Sequence, residues 1–317
     1  MVSGRTGILS ILISFCLVAA AGCSTAPVAE TSTPTPAPTA SPTPEEELFD
    51  YEIIDPVEFQ SGDLTLVGRI YMPISDGPVP GVVMVHGSGR RTRDESLRLA
   101  KLLVEAGFAV LRYDKRGAGD SDGIYSDLLP GNSEALLNRL ADDVIAAVEF
   151  LGQQENIDAE RIGLFGNSQA GWIMPLAAAR SDQIHFAVLL VSPAVSVGEE
   201  NFYSAKTFEN PERLTDELLD EISADLLEYS GRRGFDPRES IEAMNIPALW
   251  VLGGWDASIP TRETVAILEE IKQEFDKPFV IHVYPLGTHS LMNFETMEQI
   301  DFMSEVVLDW LAEIDGN

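Results

Sequence analysis

The sequence predicts an α/β fold: an eight-stranded, mostly parallel, doubly wound sheet with a small helical insertion. Short apolar runs alternate with longer amphipathic stretches along the chain, as expected of repeated strand–helix–strand units. The later runs are continuously apolar, as strands buried on both faces of a parallel sheet must be. A length of 317 residues with 45% hydrophobic content suits one such domain with a sizeable core.

Eight runs are strand candidates, and the turn Ser61-Gly-Asp63 between the first two predicts an antiparallel hairpin at the edge of the sheet. In chain order the strand candidates are Tyr51–Phe59, Leu64–Tyr71, Val82–Val85, Ala109–Tyr113, Ile162–Phe165, Phe186–Val191, Ala248–Leu252 and Phe279–Tyr284. The helix candidates are Glu95–Ala106, Ser133–Gly152, Ala170–Arg180, Thr261–Phe275 and Met297–Ile314.

Residues 196–244 form an insertion between the sixth and seventh strands, where a single helix would suffice. Leu214, Leu218, Ile222 and Leu226 recur every four residues within an acidic stretch, which predicts an amphipathic helix. The apolar face of this helix must pack against another part of the protein. Two interpretations are open: a lid that shapes a pocket, or ordinary packing on the edge of the sheet.

The N-terminal region has the features of an export signal. We expect residues 1–22 to be a signal peptide, because a short basic region precedes the apolar stretch Ile8–Ala21. The stretch ends at Ala20-Ala-Gly-Cys23, which resembles a bacterial lipobox and predicts lipidation of Cys23; ordinary secretion is the alternative. Residues 23–47 are rich in threonine, serine and proline and predict a disordered tether, followed by a catalytic domain over residues 48–317.

The most informative segment is Arg161–Ala179, in which an apolar strand runs into a serine between small residues and a helix follows at once. This layout is typical of a nucleophile elbow, a turn so sharp that the serine adopts a strained backbone. Only small side chains fit at Gly166 and Ala170. Ser168 is therefore the candidate nucleophile, and a tight turn that needs a small polar residue is the alternative.

A serine hydroxyl needs a histidine base, and the base needs an orienting carboxylate. Of the four histidines, His289 lies in the loop after the last strand candidate, where parallel α/β folds place their chemistry. Asp256 lies in the loop after the preceding strand. The backbone N–H groups of Gln169 and Ser88, the latter in the glycine-rich turn that begins at His86, are the candidate oxyanion donors.

The segments Val82–Gly89, Tyr113–Ser121 and Gly166–Gly171 resemble the α/β-hydrolase superfamily, and more closely its dienelactone-hydrolase-like and prolyl-oligopeptidase-like esterases. The order Ser168, Asp256, His289 is the order in that fold. The resemblance implies acyl transfer through a covalent acyl-enzyme, and it implies that Arg116 holds loops by ion pairs behind the site. Trp172 and Trp255 are candidates for the pocket wall or for the core.

The net charge of −30 argues against nucleic acid or an anionic membrane surface as a partner and favours neutral or cationic esters. Both cysteines, Cys16 and Cys23, lie in the leader, and the histidines show no metal-ligand spacing. We therefore expect no metal and no cofactor. The first hypothesis is a tethered carboxylesterase for small or medium acyl esters. The rivals are a peptidase or acyltransferase on the same fold and a non-enzymatic binding lipoprotein.

Overall fold

A computed structural model describes residues 51–208 and 214–315, which belong to one compact unit, Leu48–Asn317. The predicted eight-stranded sheet is confirmed, with the strand order β1-β2-β4-β3-β5-β6-β7-β8. The strands are β1 (Tyr51–Ser61), β2 (Leu64–Pro73), β3 (Val79–Val85), β4 (Ala109–Tyr113), β5 (Ile157–Asn167), β6 (Phe186–Leu190), β7 (Ala248–Gly253) and β8 (Phe279–Tyr284). The predicted signal peptide and tether lie outside the described residues.

Strand direction brings the candidate site residues to one edge of the sheet. β1 pairs with β2 and β2 with β4 in antiparallel fashion, whereas every pair from β4 through β3 to β8 is parallel. The carboxyl ends of β3, β5, β7 and β8 therefore open at the same edge. The turns that carry Ser88, Ser168, Asp256 and His289 all follow these ends.

The helices cover both faces of the sheet, as a doubly wound architecture requires. They are α1 (Leu97–Glu105), α2 (Ser133–Gly152), α3 (Ala170–Ala178), α4 (Val197–Phe208), α5 (Asp216–Leu227), α6 (Arg238–Ala243), α7 (Thr261–Phe275) and α8 (Leu308–Asp315). Successive residues of a strand point to opposite faces. On β3, Val83 accordingly joins a core with α2, α3, α6 and α7, and Val82 joins a second core with α1 and α8.

The terminal helix begins later than the sequence predicts. Met297 has a left-handed backbone with φ of 59°, and Met292 and Gln299 form an isolated antiparallel bridge. Helical structure begins only with a π-helical turn at Met303–Val307 that leads into α8. Because the bridge uses the backbone of Gln299, the first residues of the predicted helix cannot form helical hydrogen bonds.

The insertion comprises α4, α5 and α6. The predicted amphipathic helix is α5, which starts at Asp216 with the Thr215 hydroxyl accepting a hydrogen bond from the Leu218 N–H at 3.2 Å. Its buried residues Leu219, Ile222 and Leu226 cluster with Tyr203 of α4. The apolar stripe of α5 therefore packs on α4. None of the helices in the described ranges is long and apolar enough to cross a membrane.

Candidate active site

Ser168 lies in a strained turn between β5 and α3. Its φ is 56°, in the left-handed region that non-glycine residues rarely adopt. The turn is too tight for larger neighbours: a Cβ added at Gly166 would lie 2.6 Å from the Ala170 Cβ, and one at Gly171 would lie 2.8 Å from Pro193. These small residues therefore permit the turn that places the Ser168 hydroxyl at the N-terminus of α3. The N-terminus of a helix favours negative charge.

His289 and Asp256 form a hydrogen-bonded pair. The His289 Nδ1 lies 2.8 Å from the Asp256 Oδ2, and Asp256 is fully buried while 30% of the His289 side chain is exposed. The other carboxylate oxygen, Oδ1, accepts the N–H groups of Ser258 at 2.7 Å and Ile259 at 2.9 Å. These donors fix the carboxylate, so the imidazole holds its proton on Nδ1 and presents Nε2 outward.

Three glycines bring together the loop after β7 that carries Asp256, here called the acid loop, and the loop after β8 that carries His289, here called the base loop. A Cβ at Gly253 would lie 2.4 Å from the Gly287 carbonyl oxygen, and a Cβ at Gly254 would lie 2.4 Å from that of Pro285. The two backbones also bond directly, with the Trp255 N–H donating to Gly287 at 2.8 Å. Residues with side chains at these positions would separate the loops. The glycines at and beyond the carboxyl ends of β7 and β8 thus determine the approach of Asp256 to His289.

Ser168 and His289 open onto one polar cavity of about 440 Å³. The turn after β3 forms another wall, and Gly87 lies against Ser168: a Cβ there would be 3.5 Å from the Ser168 Cβ. The cavity is lined by His86, Gly87, Ser88, Arg91, Glu95, Ser96, Asn167, Ser168, Glu200, Ser258, His289 and Ser290. Candidate nucleophile, base and one oxyanion residue therefore share a single space. Gln169 is 3% exposed and does not line the cavity.

Glu200 of α4 is a second carboxyl beside this pair, and sequence reasoning missed it. Burial raises the pKa of Glu200 to about 7; the charge of His289 opposes that shift and the charge of Asp256 adds to it. Burial lowers the pKa of His289, but the hydrogen bond and charge of Asp256 and the charge of Glu200 outweigh this, so the pKa lies above its usual value. The candidate base His289 thus lies beside the Asp256 carboxylate and beside a second carboxyl, Glu200, whose ionised form also raises the pKa of His289.

The insertion is attached to the acid loop through α4. The Tyr203 hydroxyl donates to the Asp256 carbonyl oxygen at 2.7 Å, and the Thr207 hydroxyl donates to that of Ala257. Glu199 is held by the Ser196 hydroxyl at 2.6 Å and by Arg233 at 2.6 Å. These bonds fix the position of Glu200 in the cavity wall.

Four other residues that the sequence singles out make contacts that support the fold: Arg116, His86, Trp172 and Trp255. Arg116 contacts both carboxylate oxygens of Asp143 at 2.6 Å, as expected for a residue that holds loops. His86 contacts the Tyr113 carbonyl oxygen, and burial lowers its pKa to about 4. Trp172 is 3% exposed in the core and its indole donates to the Val195 carbonyl oxygen at 2.8 Å. Trp255 stacks on Phe294 with ring centroids 4.8 Å apart. Neither tryptophan lines the cavity.

No group of three or more histidine, cysteine, aspartate or glutamate residues within the described ranges could hold a metal ion. The candidate site residues themselves offer a hydroxyl, an imidazole and backbone N–H donors.

The strand order and the carboxyl-edge site define the α/β-hydrolase fold, and solved structures agree. An esterase of Pyrococcus furiosus superposes with a TM-score of 0.58 at 18% identity, covering 89% of this chain and 94% of that one. An acylaminoacyl peptidase of Pyrococcus horikoshii gives 0.57 at 20% identity, covering 77% of this chain and 38% of that one. At these identities the likeness concerns the fold.

Residues 62–229 match the X-Pro dipeptidyl-peptidase (S15) family, and the chain belongs to that family. The esterase EstD of Thermotoga maritima is 27% identical over 256 residues, which are 72% of this chain and 59% of that protein. The human acylamino-acid-releasing enzyme is 28% identical over 242 residues, which are 74% of this chain and 31% of that enzyme. The chain thus matches less than two thirds of the length of either relative.

Proposed function

We propose that this protein is a serine hydrolase that cleaves carboxylic esters through an acyl-enzyme on Ser168. The observation that carries the proposal is the His289–Asp256 pair, joined at 2.8 Å and facing the cavity into which the strained Ser168 opens. The esterase named among the relatives is consistent with it.

In the proposed reaction the Ser168 Oγ bonds to the ester carbonyl carbon while its proton passes to the His289 Nε2. The carbonyl electron pair moves to oxygen, where the N–H groups of Gln169 and Ser88 stabilise the charge. Asp256 holds the imidazole in the required tautomer and stabilises the imidazolium. The oxyanion electron pair then reforms the carbonyl, the bond from carbon to the alcohol oxygen breaks, and the protonated His289 gives its proton to the departing alcohol. Water attacks the acyl-enzyme with the same proton transfers, and the bond from carbon to the Ser168 Oγ breaks to release the acid.

The cavity favours small or medium esters that are neutral or cationic. Its volume of about 440 Å³ lies at the small end of the usual range for ligand sites. Above about pH 7 Glu200 adds negative charge on the wall, while the Arg91 guanidinium is engaged by Glu95 at 2.9 Å and by the Ser88 carbonyl oxygen at 2.6 Å. An anionic substrate would meet Glu200 without a free cation in the described wall.

Replacement of Ser168 by alanine tests the proposal. We expect Ser168→Ala to lose p-nitrophenyl ester turnover and labelling by a fluorophosphonate probe. Ser258→Ala, which removes another hydroxyl from the same cavity, should still be labelled. Labelling that persists in Ser168→Ala would refute the assignment, and a wild-type protein that neither turns over esters nor reacts with the probe would favour the non-enzymatic binding alternative.

A peptidase is the second candidate, favoured by the family and by the acylamino-acid-releasing relatives. The same acyl-enzyme would form, with an amine in place of the alcohol as leaving group. A panel of p-nitrophenyl esters and dipeptidyl p-nitroanilides separates the two, since a peptidase must give substantial kcat/KM on the anilides. Added alcohols that divert the acyl group from water would indicate an acyltransferase.

For localisation we propose export with a lipid on Cys23, and secretion without a lipid is the alternative. The support is the lipobox-like sequence, since these residues lie outside the described part of the chain. Labelling with a radioactive fatty acid should mark the wild type and not Cys23→Ser. A wild-type protein that is exported without incorporating the label would favour secretion.

A further inference from the structure

Lys115, which follows β4, joins the two turns that carry the candidate oxyanion donors. Its ammonium donates to the Gly87 carbonyl oxygen at 2.9 Å and to the Gln169 side-chain oxygen. Gly87 immediately precedes Ser88, and Gln169 immediately follows the nucleophile. One side chain therefore ties the turn after β3 to the turn after β5.

The charge of Lys115 is unusual in its surroundings. Its side chain is 5% exposed, and both of its hydrogen-bond acceptors are neutral oxygens. The next residue, Arg116, has the carboxylate of Asp143, and Arg93 has that of Asp114. Lys115 has no carboxylate within ion-pair distance in the described ranges. Burying an ammonium without a counter-ion costs several kcal/mol, and a neutral donor could have joined two carbonyl oxygens.

A group that becomes negative only during the reaction would account for an unpaired cation here. The oxyanion is such a group, because the ester oxygen is neutral in the bound substrate and carries the charge after attack. Lys115 does not line the cavity. It can therefore act on the oxyanion only through the two turns and through its field.

We propose that Lys115 is a positioning residue for the oxyanion site: its ammonium holds the N–H groups of Ser88 and Gln169 in register and supplies positive charge behind them. This role rests on the proposed function of Ser168. The Lys115 charge has no negative partner while the neutral ester is bound, and it gains one when the oxyanion forms. It therefore lowers the barrier of the chemical step and does not strengthen substrate binding.

The surroundings of Lys115 predict a pH response. Burial lowers the pKa of Lys115 to about 8, the charge of Arg91 lowers it further and that of Asp143 opposes this. His86, with a pKa of about 4, stays neutral in the working range. Lys115 is therefore charged below about pH 8 and loses its proton above it. Stabilisation of the oxyanion should weaken over that range.

The test measures kcat and KM of the full chain for p-nitrophenyl butyrate from pH 6 to 10. For the wild type we expect kcat to fall above about pH 8. Lys115→Met should lower kcat on the plateau by about 10–100-fold, less than the loss of a direct donor. It should change KM less than threefold and abolish the alkaline fall. Lys101→Met on α1 controls for loss of a lysine elsewhere and should keep the wild-type profile.

A second variant keeps the idea testable if Lys115→Met does not fold. Gln169→Glu gives the ammonium a carboxylate partner, which raises its pKa, so the alkaline fall should move to higher pH by about one unit or more. An unmoved fall in Gln169→Glu, or a Lys115→Met variant with wild-type kcat and profile, overturns the proposal. Wild-type turnover that does not depend on Ser168 would instead refute the proposed function, and the role of Lys115 with it.

Discussion

Replacing Asp256 by asparagine should disable the base without disturbing the fold. Two backbone N–H groups donate to the Asp256 Oδ1, at 2.7 and 2.9 Å, and His289 contacts Oδ2. An asparagine that turned its NH₂ toward those N–H groups would leave two buried donors unpaired, at about 1–3 kcal/mol each. Its oxygen therefore stays at the Oδ1 position and its NH₂ faces His289.

The imidazole must then accept that hydrogen bond on Nδ1 and carry its own proton on Nε2, where it cannot receive the serine proton. The flipped orientation that would restore the active tautomer lies about 2–6 kcal/mol higher, which corresponds to about one molecule in 30 to about one in 3 × 10⁴. We expect kcat/KM of Asp256→Asn on p-nitrophenyl butyrate to fall by a factor in that range. The equivalent change in serine proteases costs about 10⁴-fold.

Asp182→Asn, at an exposed position, is the matched control and should keep wild-type kinetics. The unfolding midpoint of Asp256→Asn should stay close to the wild type because the backbone acceptor is retained. A loss in kcat/KM smaller than tenfold in a folded Asp256→Asn protein would refute the argument that this carboxylate sets the imidazole tautomer.

Two further predictions concern charge. Activity should fall at low pH as His289 protonates, with a midpoint above the ordinary histidine pKa because that pKa is raised. The charge of Glu200 is one cause of the raised pKa, so Glu200→Gln should move the acid limb of kcat/KM, measured from pH 5 to 9, to lower pH. An unmoved limb would contradict the electrostatic role of Glu200. Arg116→Met leaves the buried Asp143 carboxylate unpaired and should lower the free energy of unfolding in urea by about 3–5 kcal/mol. Adding Asp143→Leu should recover most of that loss, and a double variant as unstable as the single one would contradict an ion-pair origin.

Much of the fold could be predicted because each strand carries its own local signal. Ala109–Tyr113 and Phe279–Tyr284 have the predicted bounds, since apolar runs and their flanking turns determine both ends. β5 begins at Ile157, five residues before the predicted start, because Asp158, Glu160 and Arg161 conceal a strand end that is only half buried. The terminal helix begins later than the apolar pattern predicts, because the pairing of Met292 with Gln299 holds that segment in a turn that the pattern does not indicate.

In the site, too, some residues have a local sequence signal and others do not. Ser168, Asp256 and His289 each follow a recognisable strand, so local pattern and chain order bring them to one edge. Trp172 is near the nucleophile in sequence but faces the core, because α3 turns that position toward Val195. Lys115 follows a strand as well, yet nothing local indicates that its ammonium reaches Gly87 and Gln169, 28 and 54 residues away.

The place of Glu200 in the cavity wall could not be predicted from the sequence. In sequence it is one of two adjacent glutamates at the start of a helix, a pattern that usually indicates a solvated face. Its placement depends on Tyr203 and Thr207, whose hydroxyls bond to backbone carbonyls of the acid loop 53 and 50 residues further on. Because these bonds join α4 to the loop that carries Asp256, the first helix of the insertion is part of the cavity wall. Any movement of α4 away from the cavity must break these bonds, so opening there would disturb the acid loop as well as uncover the nucleophile.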